Sequence, residues 1–172
     1  MRLLLISHAA VGGGRAGEAA AVALTEGARA RAAEVGRLLP RPRVAFTSPA
    51  VAAVQTAQAL GLPTSVAPEL RDHDPDRDSL DALIERVGGW LVARQLDGGT
   101  SAAITHVAVV RAAVVFALGA PVRRAASIDV ASCSVTELSF REDRWHVAHV
   151  NWEPALLHIP QRRGRRGPRG SA

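Results

Sequence analysis

Apolar and polar positions along the chain fall into short blocks whose period alternates between strand and helix. Residues 3–6 are Leu-Leu-Leu-Ile and end abruptly at Ser7 and His8. Four apolar residues make a poor helix and cannot span a membrane. They predict a strand covered on both faces, as in a parallel sheet. Helical spacing follows over 25–39, with Thr25 as cap and Ala28, Ala32, Val35, Leu38 and Leu39 on one face, before Pro40 and Pro42 stop it. Residues 44–46 predict a strand, Ser48-Pro49 opens a helix to residue 60, and Gly61-Leu62-Pro63 turns into a strand near 64–66. A polar, acidic loop over 71–78 leads to a helix over 80–96, stopped by Gly98-Gly99. Residues 101–105 repeat the opening arrangement and end in Thr105 and His106, ahead of an apolar helix over 107–118. Alternation in 134–140 and 145–150 predicts an edge hairpin. Strands interleaved with helices imply an α/β fold, a three-layer sandwich with a mainly parallel central sheet flanked by helices.

In such sheets the loops at the carboxyl ends of the strands hold the ligand. Two strands ending hydroxyl-then-histidine therefore bring His8 and His106 side by side over one sheet. Between them, Gly12-Gly13-Gly14-Arg15-Ala16-Gly17 matches the letters of a dinucleotide-binding fingerprint. That fingerprint needs its first glycine directly after the strand, so that the pyrophosphate meets a helix N-terminus. Residues 7–11 intervene, and the stretch reads instead as a mobile loop above His8.

Composition narrows the partners. The chain has 172 residues, 48% of them hydrophobic and only 3% aromatic, so one domain is expected with a core of Ala, Val and Leu. Cys133 is the sole cysteine, which rules out an internal disulfide and fits a cytoplasmic setting. The apolar start is too short for a signal peptide and no stretch is long enough for a membrane span. All 21 basic residues are arginines, and five of them (Arg162, Arg163, Arg165, Arg166 and Arg169) lie near the C-terminus. Without those five, the basic and acidic residues balance. The net charge of +5 thus belongs to a tail over 161–172, expected to be disordered beside a domain over 1–160. That tail is expected to bind polyanions non-specifically, with no specific nucleic-acid partner.

Further motifs sit in a telling order: Leu24-Thr25-Glu26-Gly27 with Ala32, Thr47-Ser48-Pro49-Ala50, Gln55-Thr56, Leu70-Arg71-Asp72, and Thr105-His106. Over roughly residues 1–150 the chain resembles the histidine phosphatase superfamily, with its phosphoglycerate mutase-like fold. The resemblance implies His8 as the phosphorylated nucleophile, His106 as its neighbour at the phosphate, and Asp72 in place of the acid that protonates the leaving group. It also exposes departures. Ser7 and Ala52 stand where the family carries its two phosphate-binding arginines, and Ala9 and Val107 where it carries glycines. The segment that forms a lid in the family is short here, which implies an open cleft. Ser7, Ser48 and Arg15 are the candidate substrate-binding residues, Ser7 through one neutral hydrogen bond and Arg15 as a replacement charge. Arg71 is assigned to holding the loop.

The departures have a size. Charge-assisted hydrogen bonds contribute roughly 1.5–3 kcal/mol each, so losing two arginines removes on the order of 5 kcal/mol, about four decades in rate. Three readings stay open: a weak or repaired phosphomonoesterase acting on a small molecule through His8, an enzyme of other acid/base chemistry using His8, His106 and Asp72, or an inactive binding descendant. No cofactor is expected. No metal is expected either, because His8, His106, Asp72 and His73 lack a ligand spacing. The 72–78 run lacks the glycine and distal glutamate of a calcium loop. Structural roles are expected for His146, His149 and His158.

Overall fold

A computed structural model describes residues 1–12 and 23–154. Arg15, the glycine-rich stretch around it and the arginine-rich tail lie outside those residues. Among the described residues, six strands form one sheet: β1 (Arg2–Ser7), β2 (Val44–Thr47), β3 (Ser65–Val66), β4 (Thr100–Thr105), β5 (Val135–Arg141) and β6 (Arg144–Trp152). Their order is β3-β2-β4-β1-β5-β6, parallel from β3 to β1 and antiparallel through β5 and β6. Four helices among the described residues cover it: α1 (Glu26–Leu38), α2 (Val51–Ala59), α3 (Leu80–Val92) and α4 (Val107–Leu118).

The apolar run in β1 explains the layering, because successive strand residues point to opposite faces. Leu4 and Ile6 pack with Ala28, Ala32 and Val35 of α1 and Ala53 and Ala57 of α2. Leu3 and Leu5 pack on the other face with Leu83 and Val87 of α3 and Val109, Val110 and Ala113 of α4. A strand apolar on both sides is what this sandwich requires. Small residues bring the helices close: a Cβ on Gly36 of α1 would collide with the Leu60 backbone at the end of α2.

Three element boundaries differ from the sequence expectation by two residues or more. The third helix ends at Val92, not 96, because the chain turns back and lays the Arg94 guanidinium over Phe46 and Trp90, leaving Leu96 in solvent. The second helix starts at Val51, since the Ser48 hydroxyl accepts from Ala50 N and holds Ser48-Pro49 outside it. The last strand extends to Trp152 past an irregular register opposite residues 135–138. Among the described residues, no helix is long and apolar enough to cross a membrane.

Candidate active site

Parallel pairing of β1 with β4 sets Ser7 opposite Thr105. The next residue on each strand is a histidine, and His8 N donates to Thr105 O at 2.8 Å. The two imidazoles meet edge to face, with ring centroids 5.1 Å apart.

Local bonds fix the first ring. The carbonyl of Ala9 can only accept, so His8 Nδ1, 2.9 Å away, carries the hydrogen. Nε2 is left with its lone pair and makes no hydrogen bond among the described residues. The Ala9 amide donates in turn to Thr56 Oγ1 (3.0 Å), and that buried hydroxyl donates to Ala52 O within α2. The first turn after β1 is therefore clamped to the second helix.

His106 is 2% exposed. Its Nε2 lies 2.8 Å from Ser48 Oγ, and its Nδ1 lies 3.4 Å from Asp72 Oδ2 but completes no aligned hydrogen bond there. Burial drives its pKa down from 6.5 to about 4; Asp72 opposes the shift, while His8 and Arg86 add to it. The ring is neutral at pH 7.

Asp72 follows a single 3-10 turn, Pro68–Leu70, and stays half exposed. Thr105 anchors that turn from β4 by donating Oγ1 to Leu70 O at 2.8 Å. Arg71 pairs with Asp78 at 2.5 Å. That hydrogen bond raises the Arg71 pKa and lowers that of Asp78. His73 is spent on the same loop, donating Nε2–H to Asp78 O. Among the described residues no group of three or more His, Cys, Asp or Glu is placed to hold a metal ion.

Two candidate substrate ligands are placed elsewhere than the sequence suggested. Ser7, 1% exposed, donates its hydroxyl to Ala131 O and accepts from Ser134 N, so it locks the loop ahead of β5 and offers nothing outward. Cys133 N donates to Ser7 O in the same loop, and burial pushes the Cys133 thiol up to about 11. Ser48 is also fully buried and is engaged with His106. Ala52, at the other arginine position, lies in the core. Sequence reasoning missed Arg86, whose guanidinium reaches under the Asp72 loop. Its signal was present: a charge set between Leu83 and Val87, which α3 buries with Trp90.

Comparisons with known proteins agree with this fold. A family model, the histidine phosphatase superfamily (branch 1), matches residues 67–153. No curated protein sequence matches the chain. Among solved structures, a mutant phosphoserine phosphatase of Entamoeba histolytica in complex with phosphoserine superposes with a TM-score of 0.78 at 14% identity, covering 87% of this chain and 96% of its own. A mycobacterial glucosyl-3-phosphoglycerate phosphatase in complex with VO3 gives 0.77 at 19% identity, covering 88% and 98%. An alpha-ribazole phosphatase from Shigella flexneri gives 0.74 at 19% identity, covering 89% and 97%. At these identities the likeness is one of fold.

Proposed function

This chain belongs to the histidine phosphatase superfamily (branch 1), and from that membership we propose that it is a small-molecule phosphomonoesterase acting through His8 with a depleted phosphate pocket. The observation that carries the reading is the committed tautomer of His8, which directs a free Nε2 lone pair away from its Ala9 tether and beside His106.

In the first step His8 Nε2 attacks phosphorus as the bond to the leaving oxygen breaks. Asp72, in its acid form, gives its proton to that oxygen, and the products are an alcohol and N-phosphohistidine. In the second step water attacks phosphorus and yields its proton to the Asp72 carboxylate. The P–N bond breaks, its electron pair returns to Nε2, and inorganic phosphate leaves. His106 contributes a neutral ring packed edge to face against His8, with its buried Nδ1 turned to Asp72. With small residues at both arginine positions, positive potential among the described residues comes from the N-termini of α2 and α4, which start beside Ser48 and His106 without side-chain caps. Partial charges replace two full ones, so turnover is slow.

The test is turnover of a chromogenic phosphate monoester together with trapping of an acid-labile phosphoenzyme. Both are expected in the wild type and absent from His8→Ala. A folded wild type that shows neither would overturn the reading. The weight then moves to proton transfer on a substrate without phosphate, which the same His8, His106 and Asp72 set can perform.

A further inference from the structure

Asp72 sits on an exposed loop, where backbone carbonyls ordinarily bond to water. Here four consecutive carbonyls are held by protein donors. Arg86 Nη1 donates to Glu69 O and Arg71 O, the latter at 2.9 Å, and Arg86 Nη2 reaches Asp72 O at 3.4 Å. Thr105 takes the remaining carbonyl, Leu70 O. The Arg86 side chain is 16% exposed and also lies 3.7 Å from Asp78 Oδ2, the carboxylate that holds Arg71. One guanidinium thus ties the acid's own carbonyl, and two just before it, to helix α3.

We propose that Arg86 is a positioning residue that holds Asp72 within reach of His106 and the leaving group, resting on the phosphomonoesterase reading above. The chemistry of the side chain explains the choice. A guanidinium presents five N–H donors in a rigid planar fork and keeps its charge even when half buried. Three carbonyls in one short turn match that fork. An ammonium, a compact point charge with rotatable donors, does not span them. Burial in this position lowers the Arg86 pKa, with Arg71 adding to the shift, so the site accepts a cost to keep the cation there. The return is a fixed acid on an otherwise mobile type of loop.

The role predicts a particular pattern of loss. General acid catalysis is needed for a poor alkoxide leaving group and hardly at all for p-nitrophenolate, whose conjugate acid is strong. Arg86→Gln is therefore expected to slow an alkyl phosphate by about tenfold or more in kcat, relative to p-nitrophenyl phosphate, with little change in KM. In an Asp72→Asn background the same substitution should cost nothing further, since it acts through the acid. Arg86→Lys keeps the charge but not the fork; it should show the same selective loss, and it serves if the glutamine variant does not fold. Equal losses on both esters, or losses that add to those of Asp72→Asn, would overturn the proposal and leave Arg86 a structural residue. Amide hydrogen exchange over residues 69–73 separates this idea from the phosphatase reading. If the wild type hydrolyses neither ester, the reading falls. The clamp stands if exchange there rises about tenfold or more in the variant, and falls if exchange is unchanged.

Discussion

Ser48 grips His106 from below, its hydroxyl 2.8 Å from Nε2 inside a fully buried contact. With Asp72 on the Nδ1 side, the favoured neutral tautomer carries its hydrogen on Nδ1, and Ser48 donates to Nε2. The serine that precedes Pro49 therefore orients the second imidazole and is not itself offered to a ligand. Ser48→Ala leaves a buried ring nitrogen without a donor, which costs about 1–3 kcal/mol. Chemical denaturation should show that loss, and turnover should fall with it because the ring is free to rotate. Unchanged stability would mean the contact carries nothing.

His106 also sets a pH dependence. Its pKa is about 4 in the folded chain against 6.5 when unfolded, so above pH 6.5 both states are neutral and its contribution to stability is fully present. Between pH 6.5 and 4 the unfolded chain takes up a proton that the folded chain refuses, and stability falls. Below pH 4 the contribution is gone, a total on the order of 3 kcal/mol. Carboxylates titrate in the lower half of that window, so the quantity to measure is the difference between wild type and His106→Gln. That difference should shrink steadily from pH 6.5 to 4; a difference independent of pH would refute the neutral buried ring.

The position before His8 tests whether the missing charge can simply be put back. Ser7→Ala removes two hydrogen bonds from the 131–134 loop but leaves Ser134 N donating to Ala131 O at 3.2 Å, so it should cost only about 1 kcal/mol. Ser7→Arg should cost more. The long cation has to displace the 131–134 loop or lie unpaired in the interior, and both are among the severe mechanisms. A melting curve on each variant decides the matter: an arginine variant as stable as wild type, with faster phosphate ester turnover, would show that the position opens to the site after all.

The histidine pair and its sheet were legible because their signals are local. Each strand is a short apolar run that ends in a hydroxyl residue and a histidine, and parallel pairing of two such runs leaves the imidazoles one neighbouring place. For Ser7 and Ser48 the chain alone suggests ligands, because a hydroxyl at a strand end is ambiguous until its partner is known. The partners, Ala131 and His106, lie 124 and 58 residues away. Distant contacts of that kind leave no period in the chain. Arg86 was hidden differently. It sits within the buried stripe of an amphipathic helix, where helical spacing alone reads it as a boundary residue. Leu96 shows the converse failure, for it fits the helical period of the preceding segment yet stands 96% exposed beyond the helix end.

Thr56 offers the most direct test of how His8 is aimed. The ring is held by Ala9 O, so its direction depends on where the Ala9 peptide lies. That peptide is pinned from its other side by Thr56 Oγ1, which accepts from Ala9 N at 3.0 Å while donating to Ala52 O at 2.7 Å. Thr56→Val keeps the β-branched shape and removes only the hydroxyl. Ala9 N then sits buried without an acceptor, at a cost of about 1–3 kcal/mol, and the turn that carries the nucleophile loosens. Thr56→Ser retains the hydroxyl and loses one methyl, so it should keep the geometry at about 1 kcal/mol of packing. The rate of phosphoenzyme formation should follow the hydroxyl and not the methyl, falling in the valine variant and surviving in the serine one. Equal rates in both would show that the turn holds His8 without help from α2.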